Sequence, residues 1–391
     1  MGAAAGAHGL QDGGFPGKEG AENPMRRRAP LWIALILASA SASAFGQDPS
    51  MLALDGLDPV ELCGGKEVAG DPGLTAEHFV FLYRFASEKN REAFKKDPER
   101  WGVQMGGACG RMGPGSGRGD PERYFVHAGR VYLFASEQCR DAFKKKPEAF
   151  VDVADAPVEA DAASAAKARE LLDLAAKAHG GAERIAALKS LRFLTESRTK
   201  LKDGSERADG RWELVDFARG FAKEAWYGPD WKWRTVRSAE PAASFEITNR
   251  GQPGPLHASA SLELLRVYGR RPIVVLRERG RADFKAGYLG EGKVGDVPVA
   301  KVATSFAGVT TTLMIDPKSG LVVGSSYRGR GAQSTVGAAE RTFSDFRDVG
   351  GLKIAFKTEG AFDGTPTSAF TWSAIEADVA VDPALFVRPK E

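Results

Sequence analysis

The side chains able to bind a soft metal or act as a nucleophile are few, and most lie close together in the chain. Among 391 residues there are three cysteines and five histidines; Cys63, Cys109 and Cys139, together with His78 and His127, all fall between residues 63 and 139. Beyond His257 nothing can supply a thiolate or an imidazole. A soft-metal site needs deprotonated sulfur and neutral imidazole, usually three or four donors converging. Cys63, Cys109 and Cys139, with His78 or His127 as a fourth donor, would meet that need for Cu or Zn. Met105 and Met112 flank Cys109, and thioether beside thiolate favours Cu(I) over a hard ion. Two other readings stay open: a disulfide between Cys109 and Cys139 that leaves Cys63 odd, and a redox-active Cys63 beside His78.

These residues ride on an internal duplication. Tyr83–Trp101 recurs 49 residues later as Tyr132–Phe150 with 12 of 19 positions identical, and His78 and His127 keep the same offset. A histidine present in both copies, when only one copy keeps the later cysteine, fits a packing role. Each copy predicts a strand ending at Phe85 or Phe134, an N-cap at Ser87 or Ser136, and a short helix that runs to a Lys-Lys pair and stops before Pro98 or Pro147. Units this small cannot bury separate cores, so the two are expected to pack together. The glycine-rich stretch Gly106–Gly119 lacks the Gly-Lys-Ser/Thr ending of a phosphate-binding loop and reads as a connection between copies.

The strand, Phe-Ala-Ser-Glu, short helix and Asp-Pro-Glu-Arg-Trp pattern, with Asp58-Pro59-Val60 upstream and Gly106-Gly107-Ala108-Cys109 after it, resembles the YHS domain and related TRASH-type metal-binding modules. The resemblance covers about residues 52–152. In metal-binding members a cysteine before the hairpin joins a Cys-x3-Cys pair at the helix start. By that pattern Cys109 and Cys139 hold the first and last positions with Ala135 between them, while Cys63 matches the leading cysteine of the first copy and Ala86 and Asn90 replace the other two. Each copy alone is then an incomplete site.

Residues 26–44 read as three arginines, an apolar run from Leu31 to Leu37 and small residues ending Ala42-Ser43-Ala44, which is the pattern of a secretory signal peptide. We assign the signal to 25–44, take 1–24 as a non-native extension, and expect the mature chain to be periplasmic or secreted. An apolar fraction of 43% excludes wholesale disorder, and a net charge of +3 makes nucleic acid a poor partner.

After a linker at 154–164, a helix is expected from Ala165 to Ala178 with Ser164 as N-cap, closed at His179-Gly180-Gly181, and a second short helix follows from Glu183 to Leu188. Serial short strands then dominate, separated by turns such as Asp203-Gly204 and Asp363-Gly364 and interrupted by one helix at Ala260–Tyr268. This predicts an α+β chain: a small repeat domain at 45–153, then an antiparallel, strongly curved or nearly closed sheet with a few helices at 165–391. His179-Gly180-Gly181-Ala182-Glu183, Asp316-Pro317-Lys318-Ser319-Gly320, the Phe343–Leu352 segment and Val381-Asp382-Pro383 resemble the LolA-like, outer-membrane-lipoprotein-sorting group. The resemblance implies a half-barrel over helices, with an apolar cavity that in some relatives shields acyl chains. It carries no ligand residue across.

No nucleophile elbow or metal-binding His pair marks this second part as catalytic. Its most distinctive segment holds Trp226, Trp231 and Trp233; alternation places Trp231 and Trp233 on one sheet face and Lys232 and Arg234 on the other. The three tryptophans read either as lining of the sheet's inner face or as the wall of an apolar-ligand cavity or membrane-touching lip. The sequence thus points to an exported, non-enzymatic binding protein with a soft metal and a lipid-like molecule as ligands, and envelope proteins as further partners. An envelope structural protein with a disulfide-stabilised module, and a thiol-redox or metal-dependent enzyme, remain as alternatives.

Overall fold

Each copy of the repeat folds as a hairpin followed by a helix. In the first, β1 (Met51–Leu52) and α1 (Pro59–Cys63) precede the hairpin β2 (Asp71–His78) and β3 (Phe81–Phe85), and α2 (Glu88–Lys96) and α3 (Pro98–Trp101) follow. In the second, β4 (Asp120–His127), β5 (Arg130–Phe134) and α4 (Glu137–Lys145) recur. The structure is a computed structural model and describes residues 51–151, 156–200, 206–331 and 334–390, which belong to one compact unit spanning Asp48–Glu391. The leader assigned to 25–44, the extension before it and the Asp203-Gly204 turn lie outside the described residues.

Ser87 Oγ accepts from the Asn90 N–H, and Ser136 Oγ from the Cys139 N–H, both at 3.2 Å. Each cap satisfies a first-turn donor and contributes about 1 kcal/mol. Phe94 and Phe143, the equivalent residues of α2 and α4, are fully buried. Strand period explains how the copies share a core. Val131 and Leu133 of β5 face Phe81, Tyr83, Phe85 and Phe94 of the first copy, whereas Tyr132 and Phe134 face Phe143 and Phe150 of the second. β5 is thus packed on both sides.

The β-rich part opens with α5 (Ala162–Ala178) and α6 (Ala182–Ala186). Asp161, not Ser164, is the N-cap of α5: its Oδ1 accepts from the Ser164 N–H at 2.7 Å, so the helix begins one turn earlier than expected. The strands β6 (Ser190–Lys200), β7 (Glu206–Asp216), β8 (Gly220–Tyr227), β9 (Trp231–Ser238), β10 (Phe245–Ile247) and β11 (Pro253–Pro255) come next, then α7 (Ala258–Gly269) and α8 (Pro272–Glu278). The chain continues through β12 (Lys285–Val294), β13 (Val297–Phe306), β14 (Val309–Ile315), β15 (Val322–Arg330), β16 (Val336–Val349), β17 (Leu352–Phe362), β18 (Thr365–Thr371) and β19 (Ala374–Ala377).

These strands form two open antiparallel sheets of seven strands, where a single strongly curved or nearly closed sheet was expected. One runs β11-β10-β9-β8-β7-β6-β19 and the other β12 through β18 in chain order. The division arises where one extended segment changes partners. β18 pairs with β17; the Trp372 N–H then donates to Phe356 O at 2.9 Å, the Ser373 N–H to Leu194 O at 2.8 Å, and β19 joins β6.

The core lies between the sheets and the helices, with Leu171, Leu172 and Ala175 from α5 and Ile273 to Leu276 from α8 buried in it. His179, at the C-cap of α5, belongs to the same framework: its Nδ1 donates to Lys353 O at 2.6 Å and its Nε2 accepts from the Val322 N–H at 3.1 Å. Burial holds this imidazole below its ordinary pKa and in the neutral form that those two bonds require.

Candidate functional site

Between the two sheets and α7 lies a cavity of about 890 Å³, within the range of small-ligand sites. Register defines its floor. Phe193, Glu213 and Lys223 are paired across β6, β7 and β8, and Arg211, Ala225 and Trp233 across β7, β8 and β9, so all six side chains share one face. Trp231, two residues before Trp233, shares that face, and both tryptophans line the cavity with their rings 6.4 Å apart. Trp226 is a correction to the expected wall. It pairs with Gly210 and Lys232 on the opposite face, where its ring lies over the bare backbone of Gly210.

The cavity is amphipathic. Trp372 packs against Phe370 at 4.4 Å and Phe193 at 5.1 Å between ring centres, and two guanidinium groups cover this cluster. Arg211 lies 4.2 Å over the Phe370 ring and Arg271 3.9 Å over the Phe193 ring. Both arginines address Glu213, Arg271 Nη2 by a hydrogen bond and Arg211 Nε at 3.4 Å. Lys223 stands beside the same carboxylate; burial holds its ammonium below the ordinary pKa, opposed by the Glu213 charge and reinforced by Arg211. Six arginines and two lysines line the cavity against three glutamates, whereas the whole chain carries only +3. Among the described residues, Arg271 Nη1 and Thr235 Oγ1 are buried without a hydrogen-bond partner, and Arg211 Nε has the 3.4 Å ion-pair contact with Glu213 but no hydrogen bond. Each such group costs about 1–3 kcal/mol unless something accepts from it.

The cysteines are held apart by β5. Cys63 packs on the first-copy core with Val131 and Leu133, while Cys109 and Cys139 lie on the other side with Tyr132, Phe134 and Phe143. All three are free thiols in the structure. The expected set of Cys63, Cys109 and Cys139 with His78 or His127 therefore does not converge. Burial pushes the Cys63 thiol up against the lowering charge of Arg100. At Cys139 burial also raises the pKa, but hydrogen bonds with Ser136, Cys109 and Arg111 outweigh it and the thiol ends below its ordinary value. Met105 packs beside Cys109, whereas Met112 is exposed.

Backbone equivalence also corrects the assignment of Cys63 to the leading position. Leu54 and Asp55 take left-handed conformations, as do Met105 and Gly106. Gly70 N–H donates to Gly56 O and Gly119 N–H to Gly107 O, both at 2.8 Å. The next equivalent pair is Asp58 and Cys109, whose N–H groups donate to Val68 O and Gly117 O. Asp58, not Cys63, thus stands where Cys109 stands. Its Oδ2 accepts from Asn90 Nδ2 at 2.8 Å and from the Ala86 N–H at 2.7 Å, while its Oδ1 caps α1. An Asp58–Asn90 hydrogen bond occupies, in the first copy, the place of the Cys109–Cys139 pair in the second.

The two duplicated histidines share a packing role and differ beyond it. His78 lies edge-on to Phe94 at 6.3 Å and His127 edge-on to Phe143 at 6.2 Å. His78 alone also meets Glu99 and His257. His257 belongs to no motif, and Glu99, although it lies within the repeated segment, is a carboxylate that no donor spacing singled out. Only a count of the remaining histidines could have drawn attention to His257.

No family model matches the sequence, and no curated protein is similar to it. Solved structures similar over the C-terminal part include three that each cover 56% of this chain. A DUF1329 family protein from Desulfovibrio piger is 10% identical over 96% of its own length, with a TM-score of 0.35. An outer membrane lipoprotein-sorting protein domain from Vibrio parahaemolyticus is 8% identical over 97%, also at 0.35. A LolA superfamily protein from Nitrosomonas europaea is 12% identical over 96%, at 0.31. With TM-scores this low, the architecture rests on the strand orders and hydrogen bonds described above.

Proposed function

We propose that the chain is an exported, non-catalytic binding protein whose cavity holds an amphiphile with an anionic head. The observation that carries this is the combination, in one space of about 890 Å³, of an aromatic cluster with a cationic lining that the near-balanced chain does not share. Phe193, Phe370 and Trp372 offer the apolar body a surface, and Arg211 and Arg271 present buried N–H groups to a carboxylate or phosphate. Trp231 and Trp233 extend the apolar wall. Among the described residues no helix is long and apolar enough to cross a membrane. Periplasmic or secreted placement rests on the leader read in residues 25–44.

Native mass spectrometry after exposure to phosphatidylglycerol or phosphatidylcholine vesicles tests the reading. One anionic lipid should be retained per chain, and Arg211→Gln should weaken its retention at least about 10-fold, the value of one charge-assisted hydrogen bond. Equal retention of both lipids, or of neither, would overturn the assignment.

A further inference from the structure

We propose that His78, Glu99 and His257 form a binding site for a borderline divalent transition metal of the Zn2+ class, at the contact between the repeat module and α7. Among the described residues these form the only group of three or more His, Cys, Asp or Glu side chains whose ligand atoms all lie within 4.8 Å of one another. His78 Nε2 is 3.3 Å and His257 Nε2 3.7 Å from Glu99 Oε1. Donors on a tetrahedral Zn2+ at about 2.0–2.1 Å stand about 3.3–3.4 Å apart, so small side-chain adjustments bring all three onto one ion. Two imidazoles and a carboxylate without sulfur suit Zn2+ rather than the Cu(I) that thiolates would select.

The donors come from separate elements, yet their surroundings orient them. His78 ends β2 and its ring meets the His257 ring at 90°. His257 is the N-cap residue of α7: its Nδ1 accepts from the Ser259 N–H at 3.2 Å and lies 2.8 Å from Ser259 Oγ, so that Nε2 faces Glu99. With a metal on Nε2 the ring proton moves to Nδ1, where Ser259 Oγ is within reach as the acceptor that orients a metal-binding histidine. Phe79 stands edge-on to the same ring at 5.0 Å. Gly106, at φ +64, lies so close beneath it that a Cβ there would sit 2.4 Å from His257 Cγ. Only glycine fits that left-handed, crowded position. Glu99 is 61% exposed, which leaves a coordination position open to water. The hydrogen bond from His78 is the largest influence on the Glu99 carboxylate, ahead of the His257 charge; Arg130, the last of the charges acting on it, is engaged by Gln104 Oε1 at 2.9 Å.

The second copy supplies an internal control. His127 and Glu148 recur at the same spacing, but no third donor joins them among the described residues. The purified full chain, stripped with a chelator, should take up one equivalent of Zn2+ by calorimetry. Co2+ in its place should give a visible spectrum without the intense thiolate-to-cobalt charge-transfer band. Glu99→Gln and His257→Gln should each weaken Zn2+ at least about 10-fold, since even outer-shell partners are worth about 10–100-fold, and His127→Gln should leave it unchanged. Should His257→Gln fail to fold, Glu99→Gln on the exposed carboxylate decides alone. Absence of stoichiometric Zn2+ uptake, a thiolate band, or affinity that survives Glu99→Gln would each overturn the site.

Discussion

The two copies of the repeat keep one backbone and have exchanged their chemistry. Both retain the serine cap, the buried phenylalanine and the histidine edge-on to it. They part where a side chain can change without disturbing that frame: Asp58 and Asn90 in the first copy stand where Cys109 and Cys139 stand in the second. A hydrogen-bonded carboxylate and amide thus take the place of two adjoining thiols. What both copies keep serves packing first, and function is to be sought where the copies differ, in residue type or in what meets a kept residue from outside the repeat, as His257 meets His78.

The largest effect should come from the shared frame. Phe94→Ala and Phe143→Ala should each destabilise the chain by about 3–5 kcal/mol in urea unfolding. A cost below about 1 kcal/mol for either would show that the two cores are not equivalent. The next test separates the copies. Asp58→Ala leaves the Ala86 N–H and Asn90 Nδ2 without this acceptor, at about 1–3 kcal/mol for each donor that finds no other. Cys109→Ala removes only a thiol and should cost less than half as much; equal losses would deny the contrast. The smallest effect is in reactivity. Cys139, held below the ordinary thiol pKa, should alkylate with iodoacetamide at a lower pH than Cys63, which burial holds above it. The reverse order would remove the electrostatic difference between the two environments.

The repeat was legible because 12 identities at a constant offset are a local signal, and its caps followed from Ser and Pro. The equivalence of Asp58 with Cys109 was not, because it lies at a different offset and shares no residue type; matching cysteine to cysteine drew Cys63 into the wrong place. The tryptophan alternation was readable from strand period alone, but the face holding Trp226 depended on register with Gly210 and Lys232. Serial strands announced antiparallel sheets. That there are two sheets depends on Ser373 choosing Leu194 as its partner, a pairing 179 residues away that no local pattern carries. His257 met His78 for the same reason: two lone histidines become neighbours only through tertiary packing.

That change of partner also sets which side of the cavity is held more firmly. The two sheets are leaves bound along a spine, since one stretch of backbone at Trp372–Ser373 is hydrogen-bonded into both. Parting them at the spine means breaking main-chain hydrogen bonds, each a net loss of about 0.5–1.5 kcal/mol. The opposite margin is spanned by α7, which rests on β8 and β9 of one leaf and β14 of the other, and whose C-cap residue Arg270 donates from its side chain to Thr310 O and Arg328 O. The aromatic cluster around Trp372 therefore lies at the hydrogen-bonded spine, and α7 at the more weakly held margin of the cavity.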